Sequence, residues 1–217
     1  MNSFVRAFTA AICRVDYDQL ARVPSQGPLI IVTNHINFLE APVIYTRLPG
    51  RPLTAFAKIE SWDSAFIGWL FDLWGIIPIK RGVADKAALK RGLQELKEGV
   101  ILTIAPEGTR SHDGRLGPGF PGVVMMALLS DAPMLPIASY GHENYKHNIR
   151  KLRRSDFHIV VGEPFKLKKG TQKVTSEVRQ RMTDEIMYRL AVLLPPAYRG
   201  AYAELSKATD HYLDFSP

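Results

Sequence analysis

The chain has 217 residues, enough for one large domain with a small appendage, and its 46% hydrophobic and 23% charged residues exclude a disordered or fibrous protein. A formal net charge of +7 points to anionic partners, either membrane headgroups or phosphorylated ligands. Cys13 is the one cysteine, which excludes an intrachain disulfide and a cysteine-rich metal site.

In chain order, the first expected element is an amphipathic helix over Phe4–Ile12, with Phe4, Val5, Phe8 and Ile12 on one face and Arg6 and Arg14 flanking it. Its apolar run is broken by Arg6 and lacks the uncharged core of a signal peptide. No window of the chain reaches the about 20 apolar residues that span a bilayer, so a protein that does not cross a membrane is expected. A strand follows at Leu29–Thr33 and runs into the polar turn Thr33-Asn34-His35-Ile36-Asn37-Phe38-Leu39-Glu40. On a continuous helix, residues five apart diverge by about 140°. His35 and Glu40 can therefore meet only if His35 lies in the turn and Glu40 in the first turn of a helix, where a carboxylate also suits the helix dipole. A carboxylate on one ring nitrogen fixes the tautomer and frees the other nitrogen to accept a proton.

Further strands are expected at Leu53–Ala57 and Ile76–Lys80. Between them, Trp62–Trp74 reads as a helix with Trp62, Ala65, Phe66, Trp69, Leu70 and Leu73 on one face. A segment so apolar is either deeply buried or in contact with lipid. The strand at Ile76–Lys80 closes on the cations Lys80 and Arg81, which suit phosphate recognition. Leu89, Leu93 and Leu96 mark a helix ending near Gly99, followed by a strand over Val100–Ala105. The turn Ala105-Pro106-Glu107-Gly108-Thr109-Arg110-Ser111 then packs a carboxylate, hydroxyls and an arginine into one loop able to meet an oxyanion.

A helix over Gly122–Leu129, a strand over Met134–Ser139 and another over Phe157–Val161 come next. The basic run between these strands, Lys146, His147, Arg150, Lys151, Arg153 and Arg154, reads either as a solvated loop or as a contact for membrane or cofactor phosphate. It carries no zinc-finger spacing or RNA-binding motif, so no nucleic-acid partner is expected. Val178, Met182, Ile186 and Leu190 mark a last helix, which Pro195-Pro196 stops. Strands alternating with helices predict an α/β fold, a mixed, largely parallel sheet flanked by helices. The polar turns then gather at the carboxyl ends of its strands, where such sheets bind ligands. The expected organisation is an amphipathic segment at 1–24, a main domain at 25–195 and a helical tail at 196–217.

Four of these segments, in this order, resemble the blocks of the glycerophosphate acyltransferase family, which includes the lysophosphatidic acid acyltransferases. The first block is Asn34-His35 through Glu40. The second is Gly75 through Arg81. The third, nearly Phe-Pro-Glu-Gly-Thr-Arg-Ser in the family, is Ile104 through Ser111, and the fourth is Leu135-Pro136-Ile137. The resemblance implies a glycerol-3-phosphate acyltransferase-like fold. It also implies transfer of a fatty acyl group from acyl-CoA or acyl carrier protein to lysophosphatidic acid or a related lysophospholipid, with no cofactor and no metal.

By the same resemblance, His35 is the general base and Glu40 orients it. Arg81 and Arg110 hold the acceptor's phosphate, and Glu107, Gly108 and Thr109 place the rest of it. A protein at the cytoplasmic face of a membrane, bound peripherally, is the expected setting. The chain departs from the family pattern in two places. The block-one acid is usually aspartate, so Glu40 requires the turn to adjust. Pro121 stands where lysine is common before the glycine. The second departure keeps open an acceptor without phosphate, such as a sugar, an amino-acid lipid or another alcohol. A non-catalytic lipid- or acyl-carrier-binding relative is the remaining alternative.

Overall fold

The computed structural model describes residues 2–48, 50–80, 82–83, 85–111, 113–168 and 174–216. Helix α1 (Asn2–Ile12) passes directly into strand β1 (Cys13–Asp16), and β2 (Leu29–Thr33) leads through the His35 turn into α2 (Glu40–Arg47). Strand β3 (Leu53–Lys58), a 3-10 turn at Ile59–Asp63, α3 (Ala65–Leu73), β4 (Ile77–Ile79), α4 (Lys86–Lys97) and β5 (Ile101–Ile104) follow. The second half contains α5 (Gly122–Ser130), β6 (Met134–Tyr140), α6 (Tyr145–Arg150), β7 (Ser155–Val161), β8 (Lys166–Leu167), α7 (Ser176–Ala191) and β9 (Leu213–Asp214).

The strands form a 7-stranded sheet in the order β1-β7-β6-β2-β5-β3-β4. Each neighbouring pair is parallel except β6 with β7. The mixed, largely parallel sheet expected from the sequence is therefore present. All five residues of β2 are buried, because helices cover both faces of the sheet. Its alternate side chains divide between two cores. Ile30 and Val32 join Leu102, Met134 and residues of α4, α5 and α7, whereas Leu29 and Ile31 join Ile101, Leu135, Phe157 and residues of α2.

Local chemistry sets the helix ends. Asp85 caps α4 by accepting the Ala88 N–H at 3.0 Å, and Thr175 caps α7 by accepting that of Val178 at 3.3 Å. Gly99, at φ +80, turns the chain out of α4 into β5 through a backbone conformation that side chains resist. Within α4, Gly92 lies so close to the sheet that an added Cβ would stand 2.8 Å from the Phe56 ring.

Several sequence expectations need correction. Residues 13–23 were grouped with the amphipathic segment, yet Cys13–Asp16 is a strand of the main sheet and Leu20 and Val23 are core residues. Short polar-apolar alternation hid that strand. Trp62–Trp74 is not one helix: Ser64 caps α3, and Trp62 lies in the preceding 3-10 turn, its ring N–H donating to Asp72 at 2.9 Å. Phe66, Trp69 and Leu73 are exposed, whereas Leu70 is buried. The basic run begins as helix α6 rather than a loop. The tail expected to be helical forms, over the described residues 196–216, three single-turn 3-10 helices and strand β9, which pairs with β8. Buried Glu185 holds that tail against α7 by accepting from Thr209 Oγ1 and from the N–H groups of His211 and Tyr212.

Candidate active site

The carboxyl ends of β2, β5 and β6 lie side by side, and the turns that follow them carry the polar residues of interest. Two reciprocal hydrogen bonds lock the first turn to β6. Asn34 Nδ2 donates to the Ser139 carbonyl at 2.9 Å, and the Ser139 N–H donates to Asn34 Oδ1 at 2.8 Å. Asn37 closes the turn on the other side, its Oδ1 accepting the Leu39 N–H at 2.9 Å and its Nδ2 donating to the His142 carbonyl at 3.0 Å.

The turn brings His35 and Glu40 together. Glu40 opens α2, and its Oε2 lies 2.8 Å from His35 Nδ1. Both oxygens of the Glu40 carboxylate are used. Its Oε1 accepts the Asn37 N–H at 2.8 Å and the Ile36 N–H at 3.2 Å, and lies 2.7 Å from His142 Nε2. Burial pushes the Glu40 pKa up, but the contacts with His142 and His35, their hydrogen bonds foremost, outweigh it and hold the carboxyl below its usual range. A charged Glu40 takes the proton of His35 Nδ1 as a hydrogen bond. That leaves Nε2 of a ring whose side chain is 29% exposed as the nitrogen free to accept a proton.

Block three supports this turn from the side. Glu107 Oε1 accepts the His35 N–H at 2.8 Å, and its Oε2 accepts the Gly117 N–H at 2.9 Å. The Ser111 N–H donates to the His35 carbonyl at 2.8 Å, so both backbone groups of His35 are held by this one loop. Glu107 is 3% exposed. Its two oxygens clamp the His35 turn, one on the His35 backbone and the other on that of Gly117. Burial pushes its pKa up in spite of the two N–H bonds.

Gly108, at φ +64, turns the chain outward so that Thr109 and Arg110 are exposed on the same loop. Arg110 lies within electrostatic reach of Tyr145. Burial raises the pKa of that phenol, Arg110 counters the rise and Glu40 adds to it. Arg81, the other expected phosphate contact, lies outside the described residues.

Sequence reasoning missed His142. It is wholly buried, its ring stacked on Phe157 at 3.9 Å between centroids. The available signal was its position, two residues past β6 at the edge that carries His35. Among the described residues, no group of three or more His, Cys, Asp or Glu side chains is arranged to hold a metal ion.

The family model described as Acyltransferase matches residues 14–140. The chain is 35% identical over 157 residues to the chloroplastic 1-acyl-sn-glycerol-3-phosphate acyltransferase BAT2 of Brassica napus, covering 70% of this chain and 45% of that protein. It is 33% identical over 132 residues to the chloroplastic LPAT1 of Arabidopsis thaliana, covering 59% of this chain and 36% of that one. It thus spans less than half the length of these two plant relatives. A 1-acyl-sn-glycerol-3-phosphate acyltransferase of Pseudomonas aeruginosa is 26% identical over 196 residues, with 89% of this chain and 75% of that protein covered. Among solved structures, the 1-acyl-sn-glycerophosphate acyltransferase PlsC of Thermotoga maritima shares the fold with a TM-score of 0.66 at 24% identity. That match covers 88% of this chain and 76% of PlsC.

Proposed function

The chain belongs to the Acyltransferase family, and from that premise we propose that it acylates the free hydroxyl of a 1-acyl-sn-glycerol-3-phosphate, with a fatty acyl thioester of coenzyme A or acyl carrier protein as donor. The observation that carries this reading is the 2.8 Å contact between His35 Nδ1 and Glu40 Oε2 at the carboxyl end of β2. His35 Nε2 takes the proton of the acceptor hydroxyl as its oxygen attacks the thioester carbonyl carbon. Glu40 stabilises the imidazolium that forms. Collapse of the tetrahedral intermediate breaks the C–S bond, and the departing thiolate receives the proton from His35 as it leaves as the free thiol.

Arg110, with Arg81 as its expected partner, binds the acceptor's phosphate. The relatives are named for a phosphorylated acceptor, which favours this class over an uncharged alcohol. Since such an acceptor is a membrane lipid, the chain acts at a bilayer surface, on its cytoplasmic face. Among the described residues no helix is long and apolar enough to cross the bilayer. Contact is made by the exposed side chains Phe4, Phe8, Phe66, Trp69 and Leu73.

The test is thiol release from acyl-CoA by the purified chain, with lysophosphatidic acid, with a monoacylglycerol, and with neither. Release dependent on lysophosphatidic acid is expected, reduced at least ~10²-fold in His35→Ala. In Arg110→Ala the KM for lysophosphatidic acid should rise roughly tenfold to a hundredfold. Preference for the monoacylglycerol would overturn the phosphate assignment, and full activity of His35→Ala would overturn the mechanism.

A further inference from the structure

We propose that His142 is a positioning residue for the reaction, acting through Glu40 to keep that carboxylate charged and aimed at His35. The inference rests on the reading of His35 as the base, and it adds a third member to the pair. His142 lies in the turn after β6, 102 positions from Glu40 in the chain. Its Nε2 stands 2.7 Å from Glu40 Oε1, and its side chain is wholly buried.

The surroundings of the ring fit this task. A charged Glu40 accepts and cannot donate, so the proton of the His142 imidazole sits on Nε2 and points at Oε1. The other nitrogen, Nδ1, has no hydrogen-bond partner among the described residues. The neutral ring with one proton satisfies Glu40 while leaving only a lone pair unmet, whereas a cationic ring would bury an N–H with nothing to accept it. Stacking on Phe157 fixes the plane of the ring, and Asn37 Nδ2 holds its backbone carbonyl at 3.0 Å. The residue is therefore tied to the His35 turn through both its main chain and its side chain.

During transfer the His35 ring becomes an imidazolium beside a buried carboxylate. The proton can pass from Nδ1 to Glu40 if that oxygen atom is basic enough, which would quench the charge pair that lowers the barrier. A third donor on Oε1, besides the Ile36 and Asn37 N–H groups, makes the carboxylate a weaker proton acceptor and stops it from rotating away from His35. Without that donor the buried charge is under-bonded. Its two remaining options, taking up a proton or shifting toward water, both cost His35 its orientation.

The experiment compares His142→Gln and His142→Asn, with wild type, His35→Ala and Glu40→Gln alongside, in steady-state thiol release. Glutamine can place its amide nitrogen where the imidazole Nε2 lies, and asparagine is one methylene too short. The Asn variant should lose about tenfold to a hundredfold in kcat, the scale of one hydrogen bond to a charged group, with KM for both substrates unchanged. The Gln variant should recover most of that loss. In the Glu40→Gln background, His142→Asn should add little further loss, because its route to His35 is already cut. Equal rates for Gln and Asn would overturn the proposal, as would an undiminished loss in the Glu40→Gln background. If instead His35→Ala keeps its rate, the base assignment itself fails, so the two failures are distinguishable. Circular dichroism and thermal unfolding of each variant confirm that the comparison is made between folded proteins.

Discussion

Replacing Glu40 with glutamine changes one oxygen to an amide nitrogen, and the structure dictates which way the amide must face. Three donors converge on Oε1: the N–H groups of Ile36 and Asn37 at 3.2 and 2.8 Å, and His142 Nε2 at 2.7 Å. The two backbone donors cannot turn away, so the carbonyl oxygen of Gln must occupy that position. The amide nitrogen then faces His35 Nδ1, and because it only donates, the ring must present a lone pair there. The imidazole proton moves to Nε2, the nitrogen that should receive the acceptor's proton. The variant thus loses both the correct tautomer and the negative charge that stabilises imidazolium. In serine proteases, the same tautomer error in the Asp–His pair lowers kcat by about 10⁴, so a fall of roughly 10²–10⁴ in kcat is expected here. KM for lysophosphatidic acid should change little, since Glu40 is buried away from the acceptor. Steady-state thiol release over a range of acceptor concentrations separates the two parameters. A Glu40→Gln variant with kcat within about threefold of wild type would refute the reasoning, because the one amide orientation that keeps a proton on Nδ1 sets the amide nitrogen against the Ile36 and Asn37 N–H groups.

Three further outcomes are expected. Glu107→Ala removes the acceptor for the N–H groups of His35 and Gly117, and should cost about 2–6 kcal/mol of stability, at ~1–3 kcal/mol per stranded donor. Calorimetry would show a melting point lowered by several degrees, and an unchanged one would remove the clamp assignment. The folded-state pKa of Glu40 is depressed, so its charge contributes stability above the unfolded carboxyl value of ~4.3, and that contribution is lost as pH falls through the lower folded value. Urea unfolding of wild type and Glu40→Gln should accordingly differ most near neutral pH, the gap narrowing as pH falls below about 4.3 toward the lowered folded value. A gap of constant size would contradict the sign. Finally, Phe66 and Trp69 are 67% and 56% exposed, so changing both to serine should weaken sedimentation with anionic vesicles while leaving the melting point in place. Undiminished binding would exclude α3 as the membrane contact.

Much of the fold was legible from local pattern. Buried parallel strands are short apolar runs, and Leu29–Thr33, Met134–Tyr140 and the helix at Ser176–Ala191 could be read to within a few residues. Strand β1 was not legible. Its side chains Cys13, Arg14, Val15 and Asp16 alternate in the weak pattern of a sheet's last strand, and only β7 makes it a strand. The division at residue 24 failed for the same reason, since nothing local reveals that Leu20 and Val23 pack under the sheet.

By itself the sequence determined the chemistry on offer: an imidazole and a carboxylate in one turn, a Glu-Gly-Thr-Arg loop after a strand, and the order of both along the chain. Those are local facts, since residues five apart meet or fail to meet through the conformation of a single turn. Only the tertiary structure decided how they are used. Parallel pairing of β2 with both β5 and β6 puts three carboxyl-terminal turns at one edge. It brings Glu107 to the His35 backbone, and it carries His142 across 102 positions to Glu40. Strand order is set by which apolar faces pack best over the whole sheet, and a buried carboxylate needs whatever donors that order brings within reach. Neither condition is written in the spacing of the residues it joins.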